Sequence, residues 1–271
     1  RGAMGGGGAG GGDAKRGVKE ELEGKSGYMK QVLADREVYR EMIEDLAKQI
    51  AAVRPVDMFQ VQEFSGEVER RLTLLSDENM VLKGFPDFPL KRLESLREAV
   101  ARRGELRKLQ ESLNPEGEKW ITKSNMGEEL QNVVERFEAA QPAIEWYQRA
   151  EPDLKRAFLN HHVPFDFSAV AATRHATVGL AAYSLRMVQT ASERLHSASE
   201  EDQSKGRPQV LQLAQGTLKF AFRIHQFAGG FDAVTTQLFS SLHDVIEAML
   251  EAQSREKEAK EKGGKEKDAP Q

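Results

Sequence analysis

Val32, Tyr39, Leu46 and Val53 fall seven apart, and Met29, Ile43 and Ile50 occupy the adjoining positions. Arg36 interrupts the second row. Two apolar rows repeating every seven residues predict a long helix with a coiled-coil-like seam, roughly Val18 to Val53. Arg54-Pro55 ends it. Asp57, with Gln60 three residues on, resembles a capping box. The helix that follows carries Val61, Phe64, Val68, Leu72, Leu75 and Leu82.

The same period continues along the chain. "FPDFP", Phe85 to Pro89, is a rigid break, because each proline biases its predecessor out of the α region. Pro89 suits a helix start. Leu93, Leu96, Val100, Leu106, Leu109 and Leu113 mark a third helix that stops at Asn114-Pro115. A fourth begins near Ser124 with Leu130, Val133, Val134, Phe137, Ile144 and Tyr147, and Pro142 and Pro152 are placed to kink or divide it. "HHVPFDF" is a second apolar turn. Ser168 then caps a helix to about Ser197, with Val170, Thr177, Ala181, Val188, Ala191 and Leu195 on one face. "SASEEDQSKGRP" reads as a polar loop, and Pro208 is expected to open the next helix.

That next helix is apolar over most of its circumference. Val210, Leu213, Ala214, Thr217, Phe220, Ala221, Ile224, Phe227 and Ala228 share one face, widened by Leu211, Leu218 and Phe222. A narrow polar stripe of Gln212, Gln215, Lys219, Arg223 and Gln226 remains. Such a helix is expected to be central and buried. Gly229 is placed for the left-handed conformation that ends a helix. Asp232 is placed to cap the last helix, which buries Leu238, Leu242, Val245, Ile246 and Met249. No strand-like alternation persists. The fold class is all-α, an extended multi-helix bundle with a long N-terminal coiled-coil-like helix.

Composition adds boundaries. Residues 1–17 are glycine-rich low-complexity chain that buries nothing, expected to be a disordered linker. Residues 18–252 form the helical domain. Residues 253–271 are a charged tail, expected to be disordered. The chain opens on Arg1, which suggests a piece of a longer protein. Its 271 residues carry a net charge of −4, so no global positive field holds nucleic acid or an anionic membrane. There is no cysteine, which excludes disulfides, thiol catalysis and zinc–thiolate sites. No run of 18 apolar residues spans a bilayer.

Candidate chemistry is sparse. Gly24-Lys25-Ser26 resembles the end of a phosphate-binding loop, but Lys19 stands where the first glycine belongs and no strand precedes it. His161-His162 are adjacent and read as a polar turn rather than metal ligands. His225 beside Arg223 is the best polar pair. "SDEN", Ser76 to Asn79, sets Asp77 and Glu78 on a helix before Lys83. No cofactor or metal site can be assembled from these residues.

The segment "LKFAFRIHQFAGGFDA", Leu218 to Ala233, closely resembles the C-terminal signature of the plant chloroplast unusual positioning protein family, with its related petal growth anisotropy branch. "LLSDENMVLKGF", "LESLREAV", "LRKL" and "VPFDF" match in the same order, so the resemblance spans Gly24 to His243. Asn79 stands where that family has arginine. Phe64 or Ser65 replaces its tryptophan near the start of the second helix, and Phe167 the tryptophan that closes the proline turn.

The resemblance implies a formin-homology-like fold and a non-enzymatic domain that promotes actin assembly with profilin–actin, as a homodimer. It implies work in chloroplast movement at the cytoplasmic face of the chloroplast outer envelope, the membrane anchor lying outside this chain. The signature residues are Phe220, Phe222, Arg223, His225, Gln226, Phe227, Gly229, Gly230, Phe231 and Asp232, with Asp77, Glu78 and Lys83. Val32, Tyr39, Ile43, Leu46, Ile50 and Val53 are the expected helix or dimer seam. The alternative is an adaptor that binds microtubules or a signalling partner without assembling filaments; the related branch acts on microtubules.

Overall fold

The computed structural model describes residues 26–115 and 125–267, with side chains described as far as residue 255. Every regular element among them is helical. In chain order these are α1 (26–38), α2 (Arg40–Ala52), α3 (Met58–Leu72), α4 (Glu78–Leu82), α5 (Leu90–Leu113), α6 (Met126–Asn160), α7 (Ser168–His196), α8 (Glu200–Ala228) and α9 (Ala233–Lys267). The glycine-rich stretch and residues 18–25 of the expected first helix lie outside the described residues. The chain divides into two compact units. Unit 1 takes residues up to Arg102 together with Leu154–Phe165, and unit 2 takes Arg103–Asp153 and Asp166 onward.

In unit 1 the heptad region is two helices rather than one, separated at Tyr39. Its amide still reaches Asp35 O at 2.9 Å and its carbonyl still accepts from Ile43 at 2.9 Å, so the interruption is a single turn residue. Val32, Ile43, Leu46 and Ile50 are completely buried by their own chain, while Tyr39 and Val53 are half-buried. The seam is an intramolecular helix contact. The Asp57 side chain accepts from the Gln60 amide at 2.8 Å, which is the cap half of the expected box, while Gln60 Oε1 accepts from Val56 N at 3.1 Å, one residue before the cap.

The helix expected to run through Leu82 stops instead at Leu72. Asp77 takes its amide bond from Met80 (2.8 Å) and starts α4 afresh. Asp77 is therefore a helix cap, not a mid-helix acid. An Asp side chain that competes for backbone amides favours such a restart.

Unit 2 is built around α7. Thr173, Thr177, Val178, Leu180 to Leu185, Met187 and Val188 are all buried, so this helix is enclosed along its middle. It packs against α8 and α9. Phe137 and Ile144 of α6 and Leu242, Ile246 and Met249 of α9 join the same core. The central helix is thus α7, not α8, which keeps one side in water. α7 qualifies because small residues (Ala181, Ala182, Ser184) let neighbouring helices approach its flanks.

Three prolines sit inside helices rather than at their ends. α6 continues through Pro142 and Pro152, and α8 begins at Glu200, eight residues before Pro208. The α8 start is set by Ser199, whose hydroxyl accepts from Asp202 N at 3.3 Å, with Glu200, Glu201 and Asp202 in the first turn. Acids there are favoured by the helix dipole. Ser168 is not the α7 cap; Asp166 Oδ1 accepts its amide at 2.9 Å. The last helix continues past residue 252 to Lys267, with a Glu251–Arg255 pair at 3.2 Å on its side.

Candidate functional site

Two helical corners hold the signature residues, one in each unit. In unit 2, α8 ends at Gly229, whose φ of 82° is left-handed, and Gly230 follows at φ 132°. Both amides donate to His225 O at 3.0 Å. A side chain at either φ would be strained, which is why glycine stands there. Asp232 Oδ1 then accepts the Thr235 amide at 2.7 Å and opens α9. That backbone bond, with the Thr235 hydroxyl and nearby His175, holds the Asp232 carboxyl below the usual aspartate range.

The corner is tied from outside by Arg174 of α7, which donates Nε–H to Phe227 O at 2.6 Å. A guanidinium on the last carbonyls of a helix meets an unpaired acceptor and the negative end of the dipole. Nη2 of the same side chain lies 3.1 Å from where a Gly229 Cβ would stand.

Arg223 and His225 do not form a pair. Arg223 reaches α6, with Nη1 on Glu138 at 2.7 Å, Nη2 on Gln141 at 3.0 Å, and its guanidinium 4.9 Å from the Phe137 ring centre. His225 turns the other way, edge-on to Phe231 at 4.9 Å. Two residues apart on a helix, they point to different sides. Phe220 and Phe227 pack edge-on to Phe137, and Phe231 leans on Phe239. Phe222 is 53% exposed and Gln226 is exposed.

In unit 1 the corner from Leu74 to Phe85 repeats the device. Arg36 of α1 donates to Met80 O and to Val81 O (3.2 Å), and its side chain fills the space where Gly84 would carry a Cβ. Asp35 accepts the Ser76 amide at 2.7 Å; Ser76, by side chain and backbone, lowers the Asp35 pKa. Tyr28 donates to Asp77 at 2.6 Å, which is the main reason the Asp77 carboxyl is also lowered. Glu78 takes both ends of Arg97 (2.7 and 2.9 Å), which also grips Glu69. Lys83 is exposed and donates to Met80 Sδ at 3.7 Å. At the end of α2, Arg92 donates to Ala51 O at 2.8 Å and to Val53 O.

Among the described residues, helix ends are thus latched by an arginine from another helix at α2 (Arg92), α4 (Arg36) and α8 (Arg174). Sequence reading passes over these arginines as latches. For Arg36 a signal existed, since a cation inside an apolar row needs a reason. Arg92 and Arg174 lie far in sequence from the carbonyls they serve and give none.

Two grooves of unit 2 are not lined by Arg223 or His225. One of about 540 Å³ runs between α7 and α9 past Leu185, His196 and Leu242, and one of about 740 Å³ runs past Leu130, Val210 and Gly216. Among the described residues no group of three or more His, Asp or Glu could hold a metal ion, and no helix is long and apolar enough to cross a membrane. Gly24 and Lys25 lie outside the described residues.

Comparison with known proteins matches residues 96–263 to the family described as IPGAL1-like, C-terminal domain. The match takes in all of α6 to α8 and the Gly229 corner; the Leu74–Phe85 corner precedes it. An uncharacterized protein of Arabidopsis thaliana is 26% identical over 213 residues, covering 78% of this chain and 29% of that protein. The chain thus spans under a third of the length of this relative. With more than half of its length inside the family match, the chain belongs to the IPGAL1-like family, of which it carries the C-terminal domain.

Proposed function

We propose that this chain is a non-enzymatic helical interaction domain of the plant cytoskeleton that promotes actin assembly together with profilin–actin, in the service of chloroplast positioning. The observation that carries the reading is the Leu218–Ala233 corner. The residues that resemble the chloroplast unusual positioning signature fold into a stiff frame, in which Gly229, Gly230, Asp232 and Arg174 fix the angle between α8 and α9. They hold backbone rather than face a cavity. A fixed frame of this kind suits presentation of a surface to a protein partner.

A second reading has its own support. The heptad seam, expected to pack helix on helix or to pair two copies, is buried within one chain at Val32, Ile43, Leu46 and Ile50. A templating dimer would need another surface. That favours an adaptor that binds microtubules or a signalling partner without assembling actin. Two assays separate the readings: actin assembly with profilin present, and co-sedimentation with tubulin polymer. Shortening of the actin lag supports the first. Pelleting with tubulin polymer and an unchanged actin lag supports the second.

A further inference from the structure

The end of α2 in unit 1 differs from the other latched ends. Arg36 serves α4 and Arg174 serves α8. At α2 two guanidiniums crowd the same carbonyls. Arg54 Nη1 donates to Ala51 O, Ala52 O and Val53 O at 3.0, 3.1 and 2.8 Å. Arg92 Nη1 donates to Ala51 O at 2.8 Å, and its Nη2 to Val53 O. Two cations on shared oxygens repel one another. Burial first, and then the Arg54 charge, hold the Arg92 pKa below the usual arginine value.

The protein leaves this charge largely unmatched. A helix end offers about half a negative charge, against two full positive ones. Among the described residues neither Arg54 nor Arg92 is in an ion pair, and Arg54 Nε and Nη2 bond to nothing. Arg92 Nε is shielded from water without a hydrogen-bond partner. Arg92 also leaves α5 within its first turn, beside exposed Lys91, and that turn holds no acid. Basic residues there are the reverse of what a helix dipole favours. Three acids stand in the neighbourhood, and none bonds to either guanidinium. Asp57 accepts the Gln60 amide, Asp87 lines a groove with Ala51, and Glu94 lies two residues from Arg92, on a different side of α5. Two and five residues beyond Arg54, Val56 is 75% exposed and Phe59 62% exposed.

We infer that Arg54 and Arg92 bind a phosphate monoester carried by a partner's peptide segment, with Val56 and Phe59 beneath the residues that flank it. Charge selects phosphate over carboxylate. The surplus at this helix end is roughly one and a half positive charges, and a phosphate monoester carries about −1.5 to −2 at pH 7. The open edge of the Arg54 fork suits two of its oxygens at once. Charge also selects a peptide over a membrane. A lipid surface is held by a cluster of about 4–8 basic residues, and Asp57, Asp87 and Glu94 interrupt any such field here. The exposed valine and phenylalanine supply the apolar contact that a peptide makes and a free phosphate does not. The inference goes beyond the cytoskeletal reading and does not depend on it.

The test titrates the full chain against a labelled peptide pool with one fixed phosphoserine and randomised flanks. Fluorescence anisotropy reads binding, and the retained peptides are sequenced. The expected result is saturable binding that Arg54→Gln weakens at least about tenfold, the loss of a charge-assisted fork. Circular dichroism stays unchanged, because Arg54 is exposed and the cross-helix latch is Arg92. Phe59→Ser removes the enrichment for apolar residues among the retained peptides. Binding also weakens below about pH 6, where the phosphate takes up a proton and arginine keeps its charge.

Binding that Arg54→Gln leaves unchanged overturns the inference, as does no binding by wild type. A pool with glutamate in place of phosphoserine that binds equally well overturns the phosphate. Inorganic phosphate that displaces the pool at the pool's own concentration overturns the peptide. Arg54-dependent pelleting with phosphoinositide vesicles, without binding of the pool, also overturns the inference. Pool binding that depends on Arg54 upholds the site even where the actin lag is unchanged. A shortened lag with no pool binding removes the site and leaves the actin reading standing.

Discussion

Gly229 is the residue on which the Leu218–Ala233 corner turns. Its φ of 82° and the Arg174 Nη2 atom 3.1 Å from a virtual Cβ are two separate obstacles to any side chain. Gly229→Ala is expected to cost about 1–2 kcal/mol from the left-handed backbone, with more from the guanidinium. In an Arg174→Ala background the second part disappears, so a double-mutant cycle in urea should show coupling of at least about 0.5 kcal/mol. Strict additivity would remove Arg174 from the corner. Asp232 gives a pH prediction. Its carboxyl is lowered in the fold, chiefly by the Thr235 amide. A lowered group contributes stability that is complete above the unfolded value, about 3.9, and is lost as pH falls through the folded value. Asp232→Asn keeps a capping oxygen and removes the titration. Its melting temperature should stay near wild type at pH 7 and fall less steeply than wild type below about pH 4; parallel curves would contradict this. Gly229, Asp232 and Asp57 were legible in sequence because each answers a local backbone need within four residues. Ser168 misled because Asp166, two residues earlier, supplies the bond instead.

At the scale of elements, the latching arginines carry the argument. Arg97 joins Glu69 of α3 and Glu78 of α4 to α5. Its side chain is 30% exposed, so the pairs are partly screened. Arg97→Ala leaves two carboxylates facing each other and should cost about 1–3 kcal/mol, read by chemical denaturation. A change below about 0.3 kcal/mol, the level of a free surface pair, would mean the network is ornamental. The period of apolar positions located most of the helices, but their ends were less legible. Pro142 and Pro152 look like breaks and Pro208 like a helix start, yet all three lie within α6 and α8. Loss of one amide bond is outweighed there by the burial of Phe137, Ile144, Leu213 and Phe220 on the same helices. Conversely, apolar spacing carried α3 on through Leu82, where Asp77 in fact starts a new helix.

For the whole molecule, the sequence indicated an all-helical bundle but not its centre. α8 has the longer unbroken apolar face, whereas α7 is the enclosed helix, because small side chains on its flanks are as effective as large ones at letting helices close in. Nor could spacing tell a seam buried in one chain from a seam between two. With Leu46 completely buried in its own chain, Leu46→Ala should destabilise by about 2–5 kcal/mol, at a melting temperature independent of protein concentration. A concentration-dependent melt that Leu46→Ala abolishes would place the seam between copies. The central claim, that this helical frame assembles actin, is tested most directly by bulk assembly of labelled actin with profilin present and the full chain titrated in. A lag that shortens with dose is the predicted result. A lag unchanged at every dose, from chain that circular dichroism shows folded, would contradict it.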